Sequence, residues 1–516
     1  MSLRDAPHED PLYIYNDEVI FDFSMGEARE GASEGCLLLE GLVQQITSFH
    51  CEDNVLLACV KETESYIDFQ LVAGTELSKI RSRPRHPPKD NTFVAKLRPN
   101  LSGFTMFDIV ARAGTESSKE LPTRPFNTSP SSESSINMMK TWLHECVVNH
   151  PTCRKPSSTF LPSRLLWITA SPESSEMVQL WDTKDQRDIP YIALSYCWGG
   201  KGQISTTVSN IQSHQQGIAI TSLPRTDDPV DTAAEIVRMP LMYSQATLTL
   251  EKSRSSDVHE GFLGERTAVI EALIERQYRL PYRCLNGSRE MIDMIPLFYK
   301  NLIEPLDHRA WALQERFLSS RIIDIGTYQT RWICQGVGDK IPIDGFRSIS
   351  DHDERTIDHL SRVTLMLLKR KGSTKRDSTH EPCALWHELV EAYSSRSLKF
   401  QSDRLPAISG LATSFATLLG DQYHAGLWRS TLPFDLLWRS TKGFLEEEEG
   451  TGLLGLDGPS WSWCSVSGPA YYSWSDARLG SPVASLNIID IRTDLKNIGG
   501  QYGGVHSGSL TVKGRF

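Results

Sequence analysis

No stretch of the sequence is apolar for the length that a membrane span requires, and its opening residues, MSLRDAPHEDPLYIY, offer no basic segment followed by an apolar core. Neither a spanning helix nor a secretory leader is expected, and the chain reads as a soluble protein of the cytoplasm. Basic charge is in deficit: 54 Lys and Arg face 64 Asp and Glu, for a net charge of −10. That balance works against a broad nucleic-acid footprint and against an anionic membrane surface. The glycine-rich turn WGGKG at 198–202 is not a full phosphate-binding fingerprint. Cysteine is thin as well, ten residues spread from Cys36 to Cys464. Such scatter excludes a compact disulfide framework and fits reduced, mostly buried thiols.

What is present is length. At 516 residues the chain exceeds what one hydrophobic core usually organises, so two or three domains are expected. Residues 1–115 read as a strand-rich unit, with a helix over 34–46, a loop over 82–88, and strands at YIDFQLV (66–72), TFVAKL (92–97) and FTMFDIVARAG (104–114). The serine-, proline- and threonine-rich segment within 116–135 has little to bury and reads as a flexible linker. A central domain is assigned to 136–335. Beyond it, 336–516 holds helical patterns at 355–371, 386–398 and 403–419. A segment punctuated by Trp428, Trp438, Trp461, Trp463 and Trp474 follows, a density that usually fills a small core. The acidic run 446–449 reads as a solvated loop.

In the central domain, Ile136, Met139, Leu143, Cys146 and Val147 recur at helical spacing after serine caps. The end of that helix carries Cys146, His150 and Cys153, a CxxxHxxC arrangement able to supply three zinc ligands. A closed site needs four, and no second Cys/His pair stands nearby, so a helix terminus with buried cysteines is the competing reading. LPSRLLWIT (161–169) is a strand. YIALSYCWGGKG (191–202) follows as a second, an apolar run that ends in Trp198 and a glycine turn. The crevice beyond the strand ends of an open α/β sheet is where small molecules bind, and Ser195, Cys197, Trp198, Gly199 and Gly200 would line it. An ordinary core strand with its turn is the alternative. A helix carrying Glu235, Met239 and Tyr243 on one face is expected to kink or stop at Pro240, before the strand ATLTLEKS. AWALQERFLSSRIIDIG predicts a helix from about Asp307 and then a strand. Arg309, Gln314, Glu315 and Arg316, with Trp311, read as a structural set in which an ion-pair network holds that helix on the sheet.

Taken together, nine blocks resemble the fungal heterokaryon incompatibility (HET) domain family. They are LPSRLL (161–166), YIALSYCWGG (191–200), GIAITSLPRT (217–226), EIVRMPLMYSQATLTL (235–250), EGFLGER (260–266), PLDHRAWALQERFLSSRIIDIGTYQTRWIC (305–334), DRLPAISGLA (403–412), AGLWR (425–429) and PSWSWCSVSG (459–468). The resemblance implies an α/β fold with a TIR-like, flavodoxin-like parallel sheet, beside a strand-rich N-terminal unit and an α+β C-terminal region. It also implies a part in non-self recognition and programmed cell death when unlike hyphae fuse, with no resident cofactor. Some proteins of that fold cleave NAD at the nicotinamide–ribose bond. By that analogy Glu235 would stabilise an oxocarbenium-like state, Trp198 would stack on a ring, and Ser195, Gly199 and Gly200 would contact ribose or phosphate. A surface carboxylate paired with Arg238 is the bland reading of Glu235. A non-catalytic recognition or assembly protein, acting through a protein partner or self-association, is the other functional alternative.

The chain departs from the family at four places. Leu39 stands where a second cysteine is common, Trp167 where an aspartate is common, and Ile333 where the family's WEC carries glutamate. Most consequential, Thr226 runs straight into Asp227, where HET domains continue through a helix and a very apolar strand. Loss of an interior strand leaves its neighbours either to close up or to keep unpaired backbone groups. A gene-model error, a natural deletion and a degenerate copy all account for the gap.

Overall fold

A computed structural model of the chain describes residues 19–24, 29, 30, 33, 54–62, 66–73, 105–112, 114–120, 125, 127–153, 160–168, 177–199, 205, 206, 210–219, 225, 226, 229–266, 278–284, 286–297, 304–336, 344, 380–440, 458–472, 486–496 and 500–514. The longer strands are, in chain order, β1 (Val19–Ser24), β2 (Asn54–Glu62), β3 (Tyr66–Ala73), β4 (Thr105–Val110), β5 (Arg164–Ile168), β6 (Met177–Asp182), β7 (Ile192–Ser195), β8 (Leu248–Glu251), β9 (Tyr278–Arg283), β10 (Arg289–Leu297), β11 (Arg321–Ile325), β12 (Thr330–Cys334), β13 (Asn487–Leu495) and β14 (Val505–Lys513). The longer helices are α1 (Glu133–Asn149), α2 (Pro229–Ser244), α3 (Ala310–Leu318), α4 (His380–Ser394) and α5 (Ser409–Leu419). The expected helix over 34–46, loop over 82–88, strand over 92–97, helix over 355–371 and acidic loop 446–449 lie outside the described residues, as do Gly200 and Trp474. No helix among the described residues is long and apolar enough to cross a membrane.

The chain divides into two compact units that do not follow the linear boundaries at 115, 135 and 335. One comprises Met1–Pro130, Glu265–Asn301 and Ile343–Asp351. Its six-stranded sheet runs β1-β2-β3-β4-β10-β9, so a hairpin from the stretch assigned to the central domain extends the N-terminal strands. Every pairing in it is antiparallel. Residues 116–120 are pinned rather than loose. The Glu290 carboxylate accepts the backbone N–H of Glu116 at 3.0 Å and of Ser117 at 2.7 Å, placing an acid at the start of the short helix Ser117–Glu120. Asn127, Arg266 and Asp344 close the unit from three distant segments. Arg266 Nη1 and Asn127 Nδ2 both donate to Asp344 Oδ2 at 3.2 Å, with the Arg266 and Asp344 side chains fully buried.

The second unit comprises Ser131–Gly264, Leu302–Pro342 and His352–Phe516. Ser132, at the end of the expected linker, caps α1 by accepting the Ser135 N–H at 3.2 Å, and Ser135 is buried. A serine-rich stretch thus ends as a helix start, because its hydroxyls satisfy backbone groups that a greasy residue would leave open. The sheet carrying the Tyr191 stretch has the order β12-β11-β8-β7. β7, β8 and β11 are parallel, whereas β12 returns antiparallel beside β11. The sheet is therefore mixed rather than wholly parallel. The turn from Gly326 to Gln329, closed by Gly326 N–H donating to Gln329 O at 3.0 Å, is too short for a crossover.

LPSRLLWIT forms β5, but not as a neighbour of β7. β5 pairs antiparallel with β6, and β6 with Ile218–Ala219, in a separate three-stranded sheet. Strands this close in sequence lose little loop entropy in pairing with each other. Trp167 there packs edge-on against Trp181, with centroids 5.3 Å apart. Helix α2 does not stop at Pro240 but runs four residues past it. The proline removes one ladder bond, yet its ring is seated against Gly410 of α5, where an added Cβ would lie 2.6 Å from Pro240 Cγ.

Alternation gives the mixed sheet two different faces. On one, Leu248, Ile323, Ile325, Trp332 and Cys334 pack with Trp142 and Cys146 of α1. On the other, Ile322 and Ile333 join Leu313 and Phe317 of α3 in a core shared with Trp386 and Leu389 of α4, Phe415 of α5, Trp428 and Trp463. The tail is thus part of the same core. Trp428 and Trp463 are fully buried, and Trp438 and Trp461 pack against them as partly buried residues. Gly426, at φ +98°, lets both Trp386 Nε1 and Trp463 Nε1 reach its carbonyl at 3.1 and 3.2 Å.

Candidate functional site

Register lays a polar row across the strand ends. Ser195 on β7 is the partner of Glu251 on β8, Glu251 of Asp324 on β11, and Asp324 of Arg331 on β12. Partners in register point to the same face, and all four residues are buried. Helix α3 covers that face and answers the row. Glu315 accepts the Ser195 hydroxyl proton. Arg316 reaches Glu251 at 2.5 Å, Asp307 at 3.0 Å and Asp324 at 3.3 Å, while Arg331 binds Asp324 at 2.5 Å. Gln314 accepts the Gly410 N–H at 2.7 Å, and Trp311 donates to Asp403 at 3.3 Å. Arg309 donates to the Tyr196 carbonyl at 2.6 Å and stands 5.4 Å from the Trp198 ring centroid.

Electrostatics follow from this packing. Burial pushes the Glu251 carboxyl up to about 7, with Arg316 pulling the other way. Burial also raises Glu315, partly offset by the Ser195 hydroxyl and by Arg309. Asp324 goes the other way: against the effect of burial, Arg331 and Arg316 hold it below the ordinary carboxylate range. Two guanidiniums therefore serve three carboxylates, and Glu251 is the one placed to hold a proton near neutrality.

The residues expected to bind ligand are divided by the structure. Ser195 is buried within the row, whereas Trp198 is 41% exposed beyond it with Arg309 alongside. Gly199 has φ +71°, and an added Cβ would lie 1.7 Å from Asp257 Oδ2. The Asp257 carboxylate thus packs against this glycine and leaves no room for a side chain there. Glu235 lies on α2, where it accepts the Ser163 hydroxyl at 2.6 Å and pairs with Arg238 at 3.3 Å.

Cys146, His150 and Cys153 are brought together with a fourth residue, Cys334. The ligand atoms of all four lie within 4.8 Å of one another. Spacing could not find Cys334, which is 184 positions from His150. Its only sequence signal is its place at the end of the TRWIC strand. The row residues Glu251, Asp324 and Arg331 were missed for the same reason, since register between separated strands leaves no local pattern.

A mixed α/β protein with a buried polar row at its strand ends is what the fold and site define. No protein-family model, curated protein or solved structure matches the chain.

Proposed function

We propose that the chain is a heterokaryon-incompatibility-type protein of the fungal cytoplasm, acting in non-self recognition, whose cell-death output is impaired by loss of a helix–strand segment after Thr226. The observation that carries this reading is the edge of the mixed sheet. β7 pairs directly with β8, Ile192 beside Leu248 and Leu194 beside Leu250. Leu248 is covered by α1, yet Ile192 is 63% exposed and Leu194 41% exposed on the same face. An apolar pair left open on an edge strand is what removal of a covering element would produce. Arg225–Thr226, in a two-residue pairing with Ser205–Thr206, lead within three residues to the start of α2, too short a passage to hold a helix and a strand. The test is expression in a filamentous fungus of the chain as it stands and of a version carrying a family helix–strand segment between Thr226 and Asp227. Growth arrest confined to the restored version supports the reading, and arrest by the present chain refutes the impairment.

A recognition or assembly role through self-association is favoured by the same exposed side chains. Sizing chromatography would then show the Ile192→Lys, Leu194→Glu chain eluting later than the unmodified one. NAD cleavage by Glu235 requires a carboxylate now held by Ser163 and Arg238 to be freed. Nicotinamide release that disappears in Glu235→Ala would favour it over the non-catalytic reading.

A further inference from the structure

We propose that Cys146, His150, Cys153 and Cys334 form a closed zinc site that fastens the end of α1 to the edge of the mixed sheet. Cys146 and His150 are one helical turn apart, and α1 ends at Asn149. The turn Pro151–Cys153, in which Cys153 N–H donates to His150 O at 3.1 Å, brings the second thiol back to the first. Cys334, the last residue of β12, completes the set, its sulfur 3.3 Å from His150 Nδ1. Zinc–sulfur bonds of about 2.3 Å and zinc–nitrogen bonds of about 2.0 Å would set tetrahedral ligand atoms about 3.5 to 3.8 Å apart. The ligand atoms here all lie within 4.8 Å of one another, about 1 Å beyond that spacing at most.

The surroundings suit thiolates around a dication. Arg321 Nε donates to Cys146 Sγ at 3.3 Å while its Nη2 fixes the Cys153 carbonyl at 2.5 Å. Three thiolates and Zn²⁺ carry one net negative charge, which the Arg321 guanidinium balances. Gly336 stands two residues beyond Cys334, beside the site. Gly336 also makes room for the imidazole, since an added Cβ would lie 2.6 Å from His150 Cγ. Cys146, Cys153 and Cys334 are buried among Trp142, Ile323 and Trp332, and His150 is the partly exposed member through which metal can enter. A single disulfide would use two sulfurs and strand a third beside the imidazole. Three thiols and one imidazole are a full donor set for zinc.

The test is metal analysis of the full chain purified under reducing conditions, with cobalt(II) added to the metal-stripped chain as a second readout. About one zinc per chain and the visible absorption of a tetrahedral cobalt thiolate are expected. Cys153→Ser and Cys334→Ser should each retain at least about tenfold less zinc, with Cys284→Ser, outside the cluster, unchanged. Because the cobalt spectrum is read on the unmodified chain, misfolding of a variant cannot rescue or sink the proposal. Iron in place of zinc, less than about a tenth of an equivalent of metal with no cobalt spectrum, or a disulfide between two of the three cysteines would each overturn it.

Discussion

Replacing Arg316 by methionine is the perturbation that most directly probes how α3 is held on the sheet. Arg316 is 7% exposed and serves three carboxylates, Glu251 at 2.5 Å, Asp307 at 3.0 Å and Asp324 at 3.3 Å. Its loss leaves Arg331 bound to Asp324, and Arg396 acting on Glu251 without an ion pair, so Glu251 would lose its direct counter-charge. Breaking a buried pair from one side costs about 3 to 5 kcal/mol, most of it the penalty of the stranded charge. Glu251 can escape part of this by taking a proton, as its carboxyl is already pushed up to about 7. The expected loss at pH 8 is therefore about 3 kcal/mol or more, shrinking at pH 5 where Glu251 is neutral. The assay is urea denaturation of Arg316→Met, Glu251→Gln and the double variant at both pH values. The double variant should lose less than Arg316→Met alone, with a coupling of about 1 to 3 kcal/mol. A single-variant loss under about 1 kcal/mol at pH 8, or strict additivity, would refute the reasoning.

Further outcomes follow from the same structure. Glu251, raised in the fold from 4.5 to about 7, binds its proton more tightly folded than unfolded, so its contribution is present at acid pH and is lost as pH rises from about 4.5 through 7. The fall is on the order of 3 kcal/mol, and Glu251→Gln should flatten that part of the urea-midpoint profile. An unchanged slope in that variant would contradict the assignment. Asp324, held below its ordinary range, acts oppositely, and its contribution disappears as pH falls below that of a free carboxylate. Gly426→Ala places a Cβ 2.6 Å from Trp463 Nε1 at φ +98°, and thermal unfolding should register a loss of about 2 kcal/mol or more. Gly336→Ala drives a Cβ into the His150 ring, and retained zinc should fall about tenfold in the metal assay.

Local pattern was legible and register was not. The apolar spacing from Ile136 to Val147 gives α1, although Ile136 and Val147 are exposed and Trp142 and Cys146 carry its burial; the AWALQER block gives α3, which is buried on nearly every side, and the alternation in YIDFQLV gives β3. The tryptophans at 428 and 463 point to a core because few other places accept so much apolar surface. By contrast, Ser195, Glu251, Asp324 and Arg331 look like unrelated polar residues until parallel pairing aligns them. Cys334 looks like a lone thiol until β12 carries it to α1. The N-terminal sheet was misjudged in extent because its last two strands, Tyr278–Arg283 and Arg289–Leu297, come from beyond the whole of the Tyr191 block. That α2 continues past Pro240 was not legible, because it depends on a glycine in another helix.

The closing of β7 onto β8 can be measured by cross-linking. Leu194 and Leu250 are register partners on neighbouring strands, which places their Cα atoms about 4.8 Å apart, whereas an intervening strand would separate them by about 9.6 Å. Under mild oxidation the Leu194→Cys, Leu250→Cys chain should yield a disulfide-linked peptide pair by mass spectrometry, and the version with a restored segment should not. Failure of the present chain to cross-link, with both cysteines shown to be reactive toward a small maleimide, would contradict the account of a sheet that has closed over a missing strand.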